Sequence, residues 1–567
     1  ALDFSSLRQI EKMKTVKSES SSEITTVTEI VWTLDTLWKY QVDATGDLIQ
    51  SGHHLFAGGR NQVSAVNLNK IRAQKPALDW KAKIEGDVSR LLAADDKLFV
   101  VTREGKLYCF GLQPRGKAVF PWMTRKNPIP DRKVEEVKSI LTEMEIQDGY
   151  ALVYGDEHGD QIDALANHSD LRIIAFESDA SKVQMLRNRF VSQGMYGKRL
   201  TIMEGTLPQL SAPPYLANLT MIDSSKTSFL LDRDTLSQLY NQTRPYGGRI
   251  CIRIDSENRD PIVELVEDLS LPKSRIVESD SYLQIVREGA LPDTDNWTHQ
   301  YGDIANTVKS DDRLVKLPLG ILWFGGSSNL DVLPRHGHGP PDQVVDGRLF
   351  IQGMNNLSAR DVYTGRVLWK RELPNLDTYG VFYDDTYQDM PLSTEYNQIH
   401  IPGANARGTN YVATSDRVYI IEDNACRVLD PRTGQDVRTI HLPPDQTSEE
   451  PLQWGYIGVY EDYLIAGAGL VSYMDFIQID PATAKKRLPF YNLDTNSSKT
   501  LVVMNRYTGE VVWTYRSERG LRHNAIVAGN GKLFCIDKMP DLAEQTLKRR
   551  GMASSGASRL LAFDIHN

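Results

Sequence analysis

Cysteine is scarce in this chain and scattered along it. The 567 residues hold four, Cys109, Cys251, Cys426 and Cys535, none near another. That spacing excludes a CxxC redox or zinc motif and a CxxCH haem-attachment site, so each thiol reads as a small buried hydrophobe in a strand. No apolar run approaches the length of a membrane-spanning helix. Positive charge is not in excess either: 65 Lys and Arg against 74 Asp and Glu leave a net charge of −9. That balance argues against nucleic acid or an anionic membrane as the partner. No secretory leader is visible, and because the chain begins at Ala1 rather than Met, processing or truncation is expected. Hydrophobic and charged fractions of 41% and 25% are those of an ordinary globular protein. The length calls for two or more cores.

What is present is a repeat. Ala359-Arg-Asp-Val-Tyr-Thr-Gly-Arg-Val-Leu-Trp-Lys370 returns as Val428-Leu-Asp-Pro-Arg-Thr-Gly434 and as Val503-Met-Asn-Arg-Tyr-Thr-Gly-Glu-Val-Val-Trp513. Each copy follows a strand-like run: Gly347–Gln352, Asp416–Ile421 or Asp462–Ala466. The Asp or Asn and the Gly suit a tight hairpin that needs side-chain capping and a residue at positive φ. The Trp offers a flat apolar face to a neighbouring sheet. One small sheet repeated at regular spacing predicts a radial β-propeller of six to eight blades, with six the best count.

In chain order, residues 1–29 read as a polar arm or leader with a short helix at Ser5–Lys17. The propeller's first part is expected over 30–111 and its second over 296–567. Thr36–Val42 would be a last, Trp-bearing strand that closes the ring with Ser558–Asp564. Full units are expected at 343–374, 407–442 and 453–516, with a final one at 523–564; residues 297–330 leave room for a seventh. The long loops 371–410 and 471–499 suit partner contacts or simply cover sheet edges. Asn496-Ser-Ser498 matches a glycosylation sequon by a pattern short enough to arise by chance.

Between the two parts, 112–295 changes period. Helices are expected at Asp131–Gln147, Gln161–Asn167, Ala180–Gln193, Thr235–Thr243 and Pro261–Leu269. They alternate with strands at Tyr150–Tyr154, Leu171–Phe176, Leu200–Met203, Leu219–Ile222, Gly247–Arg253, Ser274–Glu278 and Tyr282–Arg287. Such alternation builds a doubly wound, mainly parallel sheet that binds ligands at the carboxyl ends of its strands.

This stretch resembles the Rossmann-like S-adenosylmethionine-dependent methyltransferases. The resemblance implies a cofactor loop at Gly155, Glu157 and Gly159, ribose binding by Glu177, and Asp223 as the candidate catalytic or substrate-facing group. The sequence departs from that family at Glu157, where a glycine is usual, and at Val153 and Tyr154, where an acidic residue is common. No Asn/Asp-Pro-Pro-Tyr-type motif follows Asp223. These departures predict a fold kept and methyl transfer lost.

The Asp-x-x-Thr-Gly-x-x-x-Trp unit resembles the tryptophan-docking repeat of PQQ-type (pyrroloquinoline quinone) propellers, a group with quinoprotein dehydrogenases and cofactor-free assembly proteins. The combination with a methyltransferase-like insert resembles exported planctomycete-type proteins, which implies a periplasmic or equivalent compartment. No Cys-Cys pair or recognisable base supports PQQ chemistry here, so packing between blades explains Trp38, Trp80, Trp323, Trp369 and Trp513. His336 and His338 flank Gly337 near a blade opening, with His299 and His523 near others. Two imidazoles at i, i+2 could hold a metal, or could be hydrogen-bonded turn residues. The reading reached is a propeller scaffold or assembly subunit with protein partners, no assigned cofactor and a degenerate methyltransferase-like domain. An active S-adenosylmethionine-dependent methyltransferase is the alternative, and a PQQ-dependent oxidoreductase the third.

Overall fold

The computed structural model describes residues 2–17, 24–72, 75–111, 129–144, 148–207, 211–223, 232–253, 259–279, 282–324, 331–332, 341–353, 355–376, 410–444, 452–477, 493–552 and 557–567. The chain forms two compact units, 1–121 and 122–567.

The first unit opens on a two-stranded antiparallel ribbon, β1 (Leu2–Lys17) with β2 (Ile24–Thr36). The helix expected at Ser5–Lys17 is therefore a strand. Leu7, Ile10 and Met13 repeat every third residue, which mimics a helical stripe. All three are exposed, so no core selects the helical spacing. Residues 37–44 are irregular, so the strand expected at Thr36–Val42 ends where it was expected to begin.

Five more strands follow in the same unit: β3 (Asp47–Ser51), β4 (His54–Arg72), β5 (Lys75–Ala94), β6 (Lys97–Thr102) and β7 (Leu107–Gly111). β4 doubles back near Asn61, which takes φ 55°. Its Leu68 N–H donates to the His53 carbonyl at 2.8 Å, which a straight strand could not allow. β5 pairs with β4 up to Asp87 and with β6 from Val88 on. Val63, Ile84, Val88, Leu91, Leu98 and Val100 form the core, flanked by Phe56, Trp80 and Phe110.

The second unit begins with α1 (Asp131–Thr142), β8 (Asp148–Tyr154), α2 (Asp160–His168), β9 (Asp170–Glu177), α3 (Ala180–Ser192), β10 (Leu200–Glu204) and β11 (Leu219–Asp223). It continues with α4 (Arg233–Gln242), β12 (Gly248–Arg253), α5 (Arg259–Leu269), β13 (Ser274–Glu278) and β14 (Leu283–Arg287). The sheet order is β10-β9-β8-β11-β12-β14-β13, with β14 antiparallel to both of its neighbours and the other pairings parallel. Helices α1, α2 and α3 bury Ile140, Leu165 and Phe190 against one face, through Val153, Ile173 and Met221. Helices α4 and α5 bury Leu239 and Val266 against the other, through Leu152, Ile222 and Ile250. Strands buried on both faces need near-continuous apolar runs, which explains Ala151-Leu-Val-Tyr154 and Ile250-Cys-Ile252.

Antiparallel meanders follow, as the repeat predicted. One is β15 (Gln343–Val345), β16 (Arg348–Gln352), β17 (Asn356–Asp361) and β18 (Val367–Glu372); the next is β19 (Tyr411–Ala413), β20 (Val418–Glu422), β21 (Ala425–Leu429) and β22 (Asp436–Ile440). The third runs through β23 (Trp454–Tyr460), β24 (Tyr463–Ser472), β25 (Leu493–Asn505) and β26 (Val511–Arg522). It joins β27 (Val527–Gly529), β28 (Lys532–Asp537) and β29 (Arg559–Asp564) by one residue pair, Leu521 with Asp537. A helix not expected from the sequence, α6 (Asp541–Arg549), separates β28 from β29 and buries Ala543 and Leu547 against Tyr473 and Met539.

The repeated motif joins one sheet to the next. Asp430 Oδ1 accepts from the N–H groups of Arg432 (2.8 Å) and Thr433 (2.9 Å), and Asn505 Oδ1 from Tyr507 (2.9 Å) and Thr508 (3.0 Å). The residue after the turn Asp then receives an indole. Trp323 Nε1 donates to the Val362 carbonyl, Trp369 Nε1 to Pro431 and Trp513 Nε1 to Ile565, each at 2.9 Å. Gly365 and Gly434 sit beneath those rings at φ 69° and 68°, and a Cβ would lie 2.2 Å from Trp323 and 2.6 Å from Trp369. At the third turn, Ile440 takes the ring's place, 3.2 Å from a Cβ built on Gly509.

Candidate functional site

In a doubly wound sheet the crevice lies where consecutive crossovers leave in opposite directions, here between the carboxyl ends of β8 and β11. The register places Tyr154 beside Ile222 and Asp223 beside Arg253, so the ends of β8, β11 and β12 are level. Most of the loops after β11 and β12 lie outside the described residues.

Gly155 leaves β8 at φ 82° and Gly159 starts α2 at φ 81°, values open to glycine at little cost. At Gly159 a second constraint acts. A Cβ would stand 2.9 Å from Phe190 Cζ and 3.0 Å from Leu186 Cδ2, both on α3. This glycine lets a helix approach the loop. Asp156 holds the loop against α2, its carboxylate accepting from Asp160 N–H (3.1 Å) and Ile162 N–H (2.9 Å). Burial, with the charge of Asp160, pushes its pKa up to about 6 against those two donors. That value suits a general base, but both oxygens are engaged by the backbone.

Glu157 pairs with Lys182 of α3, Oε1 to Nζ at 2.6 Å. The pair raises the lysine pKa, chiefly through that hydrogen bond, and the charges of Glu157, Glu177 and Asp179 add to it. Glu177 ends β9 as expected. Its Oε1 accepts from Asp179 N–H at 2.9 Å, while Asp179 caps α3 through Ser181 N–H at 2.7 Å. Arg189 fixes the loop from the same helix, bonding Asp163, Asp160 and the His158 carbonyl. Val153 and Tyr154 are core residues, and Tyr154 stacks on Phe176 with centroids 4.7 Å apart.

Asp223 shares its end of the sheet with groups the sequence reading did not single out. Arg253 pairs with Glu136 of α1 and lies over the Tyr282 ring, 5.1 Å from its centroid. Lys133, one turn from Glu136, approaches it at 3.9 Å. Its pKa is lowered, first by burial and then by Arg253, while Glu136, Asp156 and Asp223 oppose the shift. The structure thus gathers Asp156, Asp223, Lys133 and Arg253 at the switch point, with Glu157, Lys182 and Glu177 beside them. The i, i+3 spacing of Lys133 and Glu136 was the available signal for α1. Nothing in sequence spacing points to Lys182 or Arg253.

His336 and His338 lie outside the described residues. His299 is buried. Its Nε2 accepts from Val459 N–H at 3.1 Å and its Nδ1 meets Thr298 Oγ1 at 2.8 Å, so both ring nitrogens are occupied. His523 is also buried, with Nε2 2.8 Å from Ser498 Oγ. Among the described residues, no group of three or more His, Cys, Asp or Glu could hold a metal, and no helix is long and apolar enough to cross a membrane.

No family model and no curated protein matches the chain. Similar solved structures include an S-adenosylmethionine-dependent methyltransferase from Aquifex aeolicus, at 13% identity over 28% of this chain and 98% of that one, TM-score 0.23. A methyltransferase from Geobacter sulfurreducens is similar at 17% identity over 28% of this chain and 82% of that one, TM-score 0.23. An S-adenosylmethionine-dependent O-methyltransferase from Thermotoga maritima follows at 11% over 38% and 91%, TM-score 0.23. These likenesses span a minor part of the chain. The doubly wound assignment stands on the strand order itself.

Proposed function

We propose that this protein is an assembly subunit: a propeller scaffold of PQQ-like repeats whose methyltransferase-like module no longer transfers methyl groups. The Glu157–Lys182 pair is the observation that carries the reading. A carboxylate stands where backbone would have to approach a carboxylate-bearing cofactor, and the lysine that neutralises it occupies the same corner. Asp156, Glu177 and Arg253 likewise spend hydrogen bonds on their own chain. Support for a structural role comes also from the far edge of the module. Arg244 Nε lies 3.3 Å from both carboxylate oxygens of Asp361, the capping residue of a repeat turn, and both side chains are buried.

A second reading, an active methyltransferase using Gly155, Gly159, Glu177 and Asp223, is favoured by one observation. Glu177 and Asp223 both end strands at this edge of the sheet. Calorimetric titration with S-adenosylmethionine separates the two. The scaffold reading expects no binding at millimolar ligand; a micromolar Kd overturns it in favour of the enzyme. An exported location belongs to the same proposal, and N-terminal sequencing of the mature protein tests it.

A further inference from the structure

The β1–β2 ribbon is short of the support such an element needs. A lone two-stranded hairpin is marginal in water, and a third strand or a packed face normally completes it. Among the described residues β1 and β2 pair only with each other. Leu7, Met13, Ile30 and Trp32 are all more than half exposed. The base of the ribbon is nonetheless pinned: Arg8 holds Asp35 at 2.8 and 3.1 Å, and Ser6 Oγ accepts from Asp35 N–H at 2.7 Å.

The two outer edges differ. β1 carries Arg8, Lys12, Lys14 and Lys17, the charges that keep an edge strand from pairing with a copy of itself. β2, Ile-Thr-Thr-Val-Thr-Glu-Ile-Val-Trp-Thr-Leu-Asp-Thr, has no Lys, Pro or Gly, and Glu29 is its one charge before Asp35. β-branched and aromatic residues fill most of the rest, the composition that pairs most readily.

We propose that β2 is a self-association edge, pairing antiparallel with β2 of a second copy of this chain about a two-fold axis at Ile30. The occupant is argued from charge and register. In an antiparallel pair centred on Ile30, Glu29 falls opposite Val31, Thr28 opposite Trp32 and Asp35 opposite Thr25, so no like charges meet. An isologous contact requires this self-complementarity. The same operation on β1 would set cations against cations. The result is a four-stranded sheet, β1-β2-β2-β1, with the basic strands outermost, where they block further addition. This inference does not depend on the fate of the α/β module.

Sedimentation velocity on the full chain at micromolar concentration is expected to give a dimer. Ile30→Lys, which places two cations on the axis, should weaken association at least tenfold, and an unchanged far-ultraviolet spectrum would show that the rest stays folded. Register is read by cross-linking in a Cys109→Ser background, because Cys109, unlike the other three cysteines and against the expectation from sequence, is exposed. Ile30→Cys should form a disulfide dimer under mild oxidant, and Asp35→Cys should not. A monomer at every concentration overturns the proposal. So does a dimer that Ile30→Lys leaves intact, or one in which Ile30→Cys fails to cross-link.

Discussion

His299 shows how a residue that could ligate a metal is held instead as a packing element. Its Nε2 must be unprotonated to accept from Val459 N–H, and burial lowers its pKa to about 4. A group with a depressed folded pKa contributes stability above its unfolded value, about 6.5, and that stability is lost as pH falls towards 4. The expected loss over that window is about 3 kcal/mol. Denaturant titrations at several pH values check it, and His299→Gln, whose amide oxygen can still accept, should flatten the slope. Asp156 has the opposite sign. Its folded pKa is raised to about 6, so its contribution is complete below about 3.8 and declines as pH rises through 6. Asp156→Asn removes this titration, so the fall in stability between about pH 4 and pH 6 should disappear, while its amide nitrogen, facing one of the two N–H donors, should cost about 1–3 kcal/mol at low pH. The same titrations read this.

Among elements, the Thr-Gly turns carry a graded test. Gly434→Ala adds a Cβ at positive φ and drives it against the Trp369 ring, whereas at Gly509 the neighbour is the smaller Ile440. The first substitution should cost about 2–4 kcal/mol and the second about 1–2, measured as shifts in denaturation midpoint. The Arg244–Asp361 pair makes a second case. Asp361→Asn leaves a buried guanidinium without its counter-charge, which should cost about 3–5 kcal/mol. Replacing both residues with apolar ones should recover much of that in a double-mutant cycle.

These elements also show what was legible in the sequence. The turn-capping Asp or Asn, the Gly and the Trp act within one or two neighbouring sheets, so their spacing displayed the meanders directly. The strands of the α/β module stood out because burial on both faces demands short apolar runs between amphipathic helices. β1 reads as a helix from sequence because its exposed apolar residues happen to fall three apart. α6, not among the expected helices, nonetheless carries the local signals: Pro540, Asp541 and Glu544 at its start, Lys548 and Arg549 at its end and Gly551 as its stop. The carboxyl edge of the sheet was legible where strands end, at Glu177 and Asp223. It was not legible where a partner comes from another element, as Lys182 does for Glu157.

At the scale of the whole molecule, the proposed scaffold role requires the carboxyl edge of the β8–β14 sheet to be a closed structural corner. If Glu157 and Lys182 keep cofactor out, Glu157→Gly combined with Lys182→Ala should create or improve S-adenosylmethionine binding, read by calorimetry. No gain would remove that explanation. The most direct measurement is amide hydrogen exchange on the unaltered protein with and without millimolar S-adenosylmethionine. The account predicts identical exchange at residues 153–160 and 176–183. Protection confined to those two segments would contradict it, because the edge would then be an open cofactor site.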